Sequence, residues 1–86
     1  MEKTIYSCEY SLLRKWLIKQ RHLKKLTQRD VGKLLDTPHS WVGKVEQGER
    51  RLDIVEYARI CKALQINPYD GLALILQAME DSTEDR

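Results

Sequence analysis

Residues 27–48 read TQRDVGKLLDTPHSWVGKVEQG, and their punctuation decides the fold. Thr27 is a good N-cap, and Asp30 three positions on puts a negative charge in the first turn, where the helix dipole favours it. Leu26 before the cap and Val31 after it have the spacing of a hydrophobic staple. A short helix over 28–35 follows, with Val31, Leu34 and Leu35 facing inward. Asp36 is the turn residue, tolerating positive φ less well than Gly or Asn. Thr37-Pro38 then restarts the chain, Thr37 as cap and Pro38 at the first helical position. The second helix runs to about Gln47 and stops at Gly48, suited to a left-handed C-terminal position. Gly32 in mid-helix costs about 1 kcal/mol relative to Ala, so it needs a packing reason. Close crossing of the two short helices supplies one.

Outward from this pair, apolar spacing marks three more helices. One covers about 10–23, with Leu12, Leu13, Trp16, Leu17 and Gln20 at steps of three and four. Another is capped by Asp53 and runs to about Leu64, with Ile54, Tyr57, Ala58, Ile60, Cys61 and Leu64 inward. The last starts at Asn67-Pro68 and continues to about Met79. The expected fold is all-α, a compact five-helix bundle in one domain (1–79), with 80–86 (EDSTEDR) as an acidic, disordered tail.

The chain has 86 residues and a net charge of +2, unevenly spread. Residues 11–51 hold eleven Lys or Arg against four acids, a balance of +7. Residues 52–86 hold three against seven, a balance of −4. Such asymmetry suits a polyanion on one side only, although Lys-rich helices can also be simply well solvated. Cys8 and Cys61 are too few for a disulfide scaffold. The first ten residues carry no apolar leader core, and LALIL at 72–76 is far too short to span a bilayer. A cytoplasmic protein without membrane attachment is expected.

Two short helices joined by a tight turn have the geometry of a helix-turn-helix. In the second, Val42 and Val45 point to the core, while His39, Ser40, Gly43, Lys44 and Gln47 are linked by steps of three and four into one exposed polar face. Such a face can enter a DNA major groove. Lys44 can donate to guanine O6 or N7, Ser40 can meet several base edges, and His39 can read guanine or meet a phosphate. A solvated face without a partner has the same spacing.

Here the chain resembles a known family. Leu26-Thr27-Gln28, Val31-Gly32, Leu35, Trp41-Val42, Lys44-Val45-Glu46, Gly48, Leu64 and Asn67-Pro68 occur in the order found in Cro/repressor-type helix-turn-helix domains, the XRE-like family of phage and bacterial regulators. The resemblance spans residues 11–76. Asp36 departs from the family's usual turn Gly, and Gly43 from a Ser-like residue. The resemblance implies base reading by His39, Ser40, Gly43 and Lys44. It implies phosphate contact through Gln28, which can also brace the recognition helix, and through the loop of Gly48, Arg50 and Arg51 by backbone amides and side chains. Gln47 and Trp41 are further phosphate candidates, Trp41 with its ring mainly on the core.

Glu46 lies four residues after Val42 and so turns partly inward, where a carboxylate needs a partner. Arg21 is the candidate, matching the family's internal Arg–Glu pair, and the two are expected within salt-bridge distance. The last helix carries Tyr69, Leu72, Ile75, Leu76 and Met79, more apolar surface than core closure requires. The excess is expected to form a homodimer, with two recognition helices about 34 Å apart on a palindromic operator. No metal-ligand spacing surrounds His22 or His39, and no Gly-rich phosphate loop exists, so no catalysis, metal or cofactor is expected. The leading expectation is a DNA-binding repressor. An antitoxin-like protein that binds a protein partner and regulates its own promoter is the alternative.

Overall fold

The computed structural model describes residues 8–83, with side chains described as far as Asp81. Five helices follow one another: α1 (Cys8–Leu23), α2 (Gln28–Leu35), α3 (His39–Glu46), α4 (Ile54–Leu64) and α5 (Pro68–Thr83). The fold is all-α, as its sequence pattern predicts.

Local chemistry explains several of these boundaries. Thr27 accepts a hydrogen bond from the Asp30 amide at 3.0 Å, and Asp30 accepts one from the Thr27 amide at 2.8 Å. This capping box satisfies two donors that a helix start would otherwise leave open. Asp53 and Glu56 build the same box on α4. Asp30 is held below the usual carboxylate range by those Thr27 hydrogen bonds, backbone first. α1, α2 and α4 all end with a non-glycine residue in the left-handed region: Lys25, Asp36 and Gln65. Asp36 at φ 53° confirms that an aspartate can turn the chain here.

Some expected boundaries move. Thr37 does not cap α3: its hydroxyl donates to the Leu35 carbonyl and its amide to the Gly32 carbonyl. Its polar groups are thereby spent on closing α2, and Pro38 stands at the cap position with α3 starting at His39. α5 continues to Thr83, so 80–83 are helical where the tail was expected to begin. Residues 1–7 and 84–86 of the expected domain and tail lie outside the described residues.

The core joins Leu13 and Leu17 of α1, Val31 of α2, Val42 of α3, and Tyr57, Ile60, Cys61 and Leu64 of α4, with Leu26 and Leu35 packed against it. Three residues expected inside are outside: Leu34, Ile54 and Ala58. Leu12 is likewise exposed. Helical spacing defines an apolar face but not how wide a strip the neighbours cover, and here Val31, Tyr57, Ile60, Cys61 and Leu64 are covered while Leu34, Ile54 and Ala58 are not.

Two close approaches set the packing. A β-carbon at Gly32 would stand 2.7 Å from the Thr37 carbonyl oxygen and 3.2 Å from the His39 backbone, so only glycine lets α3 begin where it does. At Gly71 it would stand 2.7 Å from Trp16 and 2.9 Å from Leu13, so α5 lies directly on α1. Tyr57, buried between them, donates to the Pro68 carbonyl and ties α4 to the first turn of α5.

Candidate nucleic-acid interface

α3 turns Val42 and Val45 into the core and leaves His39, Ser40, Lys44 and Gln47 exposed, with Gly43 half-buried among them. Behind this face stands Glu46. Its carboxylate accepts from Arg21 Nε at 2.6 Å, from Arg21 Nη2 at 2.8 Å and from Gln28 Nε2 at 2.9 Å. Arg21 is 9% exposed and also donates to the Leu26 carbonyl at 2.9 Å. The pair is therefore an enclosed, two-pronged one, the geometry in which an arginine–carboxylate bridge fixes orientation best. It ties α1 and α2 to the back of α3.

Two α1 residues that sequence reasoning passed over complete the mounting. Arg14 Nη1 donates to the Glu46 carbonyl at 2.6 Å, at the end of α3 where carbonyls lack helical partners. Its guanidinium lies under Gly48, whose φ of +81° would strain a larger residue and whose β-carbon position is 3.3 Å from Arg14 Nε, a tight contact. Arg14 Nε is buried with no hydrogen-bond partner among the described residues. The Tyr10 hydroxyl donates to the Arg50 carbonyl at 3.0 Å and accepts from the Leu52 amide at 3.2 Å, so α1 also grips the loop after α3. Burial holds the Tyr10 phenol above its ordinary pKa. Tyr10, Arg14 and Arg21 share one helical stripe. Their signal was a polar stripe on an otherwise core-facing side.

The loop itself is closed on its backbone. The amides of Gly48, Glu49 and Arg50 donate to the carbonyls of Val45 and Lys44, which they cap, so its outward chemistry lies in side chains. Arg50 meets Glu56 at 2.5 Å and lies over the half-buried Trp41 ring, 5.8 Å from its centroid. Arg51 is exposed beside it. Gln28, at the start of α2, lies across α3 at Gly43, with its oxygen 3.2 Å from where a β-carbon would stand. Glycine at 43 thus makes room for Gln28. On α5, Tyr69, Leu72, Leu76 and Met79 are exposed and Ile75 is half-buried. Among the described residues no cluster of three or more His, Cys, Asp or Glu could hold a metal, and no helix is long and apolar enough to cross a membrane.

This arrangement of two short helices, a polar outer face and a braced back defines a helix-turn-helix protein. The chain matches a family model described as a helix-turn-helix domain over residues 13–71. It is similar to the structure of an XRE-family like protein from Pseudomonas syringae pv. tomato str. DC3000, with a TM-score of 0.78 and 34% identity over 88% of this chain and 92% of that one. It is similar to the restriction-modification controller protein C.AhdI from Aeromonas hydrophila, with a TM-score of 0.69 and 28% identity over 76% and 98%. A likeness in fold extends to the clp gene regulator ClgR from Corynebacterium glutamicum, with a TM-score of 0.73 at 21% identity over 92% and 86%. No curated protein sequence matches. The chain belongs to the XRE-like helix-turn-helix family.

Proposed function

We propose that the chain is a sequence-specific double-stranded DNA-binding regulator of transcription, acting without catalysis as a repressor and as a homodimer on a palindromic operator. One observation carries the reading: α3 presents His39, Ser40 and Lys44 outward while Glu46 on its back is held by Arg21 and Gln28. A rigid helix with polar side chains aimed outward is what base-edge recognition in a major groove needs. His39, Ser40, Gly43 and Lys44 form the base-facing surface. Gln28, Gln47, Arg50, Arg51 and the Trp41 edge surround it as phosphate partners, their place in the charge asymmetry matching the strongly basic half of the chain. The regulatory role is also that stated for the similar restriction-modification controller.

The dimer reading rests on Tyr69, Leu72, Leu76 and Met79 of α5, which are 74%, 43%, 54% and 46% exposed. Ile54 and Val55 of α4, both exposed, add apolar surface that the sequence pattern placed inside or passed over. Exposed apolar residues in such number mark association surfaces.

Binding to duplex DNA across a salt series tests the first claim. Each phosphate neutralised contributes about 0.9 to the slope of log affinity against log salt, so a steep fall is expected and a flat line would overturn it. Sedimentation tests the second: a monomer at high concentration, with and without DNA, would overturn the homodimer.

A further inference from the structure

With α3 taken as the duplex-facing helix, as proposed above, the amide of Gln28 acquires a more specific role. A carboxylate only accepts hydrogen bonds, so the amide must present its nitrogen to Glu46, and it does so at 2.9 Å. Turning the amide over would set two acceptors against each other. Arg21 holds the same carboxylate from behind at 2.6 and 2.8 Å, so Glu46 cannot swing away to permit it. The direction of Gln28 Oε1 is therefore set by the network, and it lies against Gly43 of α3. This oxygen has no hydrogen-bond partner among the described residues and is not a buried atom, which leaves one acceptor open beside Gly43.

A phosphate offers only acceptors and cannot satisfy that oxygen. In the major groove the donors are the exocyclic amines, N6 of adenine and N4 of cytosine. We infer that Gln28 Oε1, seated over Gly43, reads an adenine or cytosine amine and is a specificity-determining group supplied by α2 at the place residue 43 vacates. Gln28 Nε2 keeps its second hydrogen for a phosphate. The bare α-carbon of Gly43 is then part of the reading surface, since a methyl group there would push the amide by a few tenths of an ångström.

Selection from random duplexes with the full chain, compared among the natural sequence, Gln28→Met and Gly43→Ala, decides this. The natural chain should favour adenine or cytosine at one position of each half-site. Gln28→Met should lose roughly three- to tenfold of that preference, the range of one hydrogen bond, with other positions unchanged. Gly43→Ala should weaken the preference at that same position. Retention of the full preference at that position by Gln28→Met, whatever its overall loss of affinity, or changes at different positions in the two variants, would overturn the inference while leaving DNA recognition intact. If the natural chain selects no sequence, the regulatory reading falls and this one with it. Should Gln28→Met fail to melt cooperatively, Gly43→Ala alone decides.

Discussion

Replacement of Glu46 by glutamine keeps the shape of the side chain and removes its charge. Three donors converge on that carboxylate, two from Arg21 and one from Gln28, and the two ion-paired side chains are only 11% and 12% exposed. A glutamine has one accepting oxygen, so its own NH2 group must face a donor and at least one bond is lost. Arg21 is left charged and enclosed without a counter-charge. Breaking an enclosed pair in this way costs about 3–5 kcal/mol, a large share of the 5–15 kcal/mol typical of a small domain. At about 4–8 °C per kcal/mol for a domain of this size, the lower figure alone corresponds to roughly 12–24 °C in melting temperature. Thermal denaturation followed by circular dichroism measures it. The double variant Arg21→Met with Glu46→Leu should recover most of the loss, because removing both charges leaves nothing stranded. If Glu46→Gln melts within about 3 °C of the natural chain, or the double variant is no better than the single one, the bridge does not hold α3 as described.

Three further outcomes follow from particular contacts. Gly32→Ala should destabilise by about 1–3 kcal/mol in chemical denaturation despite the better helix propensity of alanine, since the new methyl meets a carbonyl oxygen at 2.7 Å; a stabilised variant would refute the close approach. Asp30 is held below its ordinary 3.8, so its contribution is present above that pH and disappears as pH falls through the lowered value; an acid melting series should show the natural chain losing its advantage over Asp30→Asn there, and parallel curves would contradict it. Burial raises Cys61 above 9.0 and, more strongly, Tyr57 above 10.0, so the folded state favours both neutral groups. Their stabilisation is full below about pH 9 and is lost at higher pH as the unfolded chain deprotonates first, so melting should decline in alkali and Tyr57→Phe should flatten that decline, with unchanged curvature refuting it.

Most of the turn chemistry of residues 27–48 was readable because each device is local, the exception being Thr37, which closes α2 instead of capping α3. A Thr27–Asp30 box, a left-handed Asp36 and a glycine stop at 48 are all written within a few positions of the structure they make. Gly32 was readable as a packing need, though not that its neighbour would be the Thr37 carbonyl. The inner pair of Arg21 and Glu46 could be anticipated because a half-buried carboxylate demands a cation and the family resemblance named one. Arg14 and Tyr10 escaped because they bond backbone groups 32 and 40–42 residues away, and a backbone carbonyl carries no residue type to match. Gly43 was legible only as a departure from a Ser-like residue for a similar reason: the side chain that occupies its space comes from α2. Leu34 and Ile54 fall outside the core because burial is decided by the neighbours' reach, which hydrophobic period alone does not encode.

Amide chemical-shift mapping of the labelled chain, titrated with a selected duplex, addresses the central claim most directly. Shifts should concentrate at Gln28, along His39–Gln47 and at Arg50 and Arg51, with Leu76 and Met79 near the end of α5 changing little. Perturbations confined to the acidic half, on α4 and α5, with α3 silent, would contradict the account.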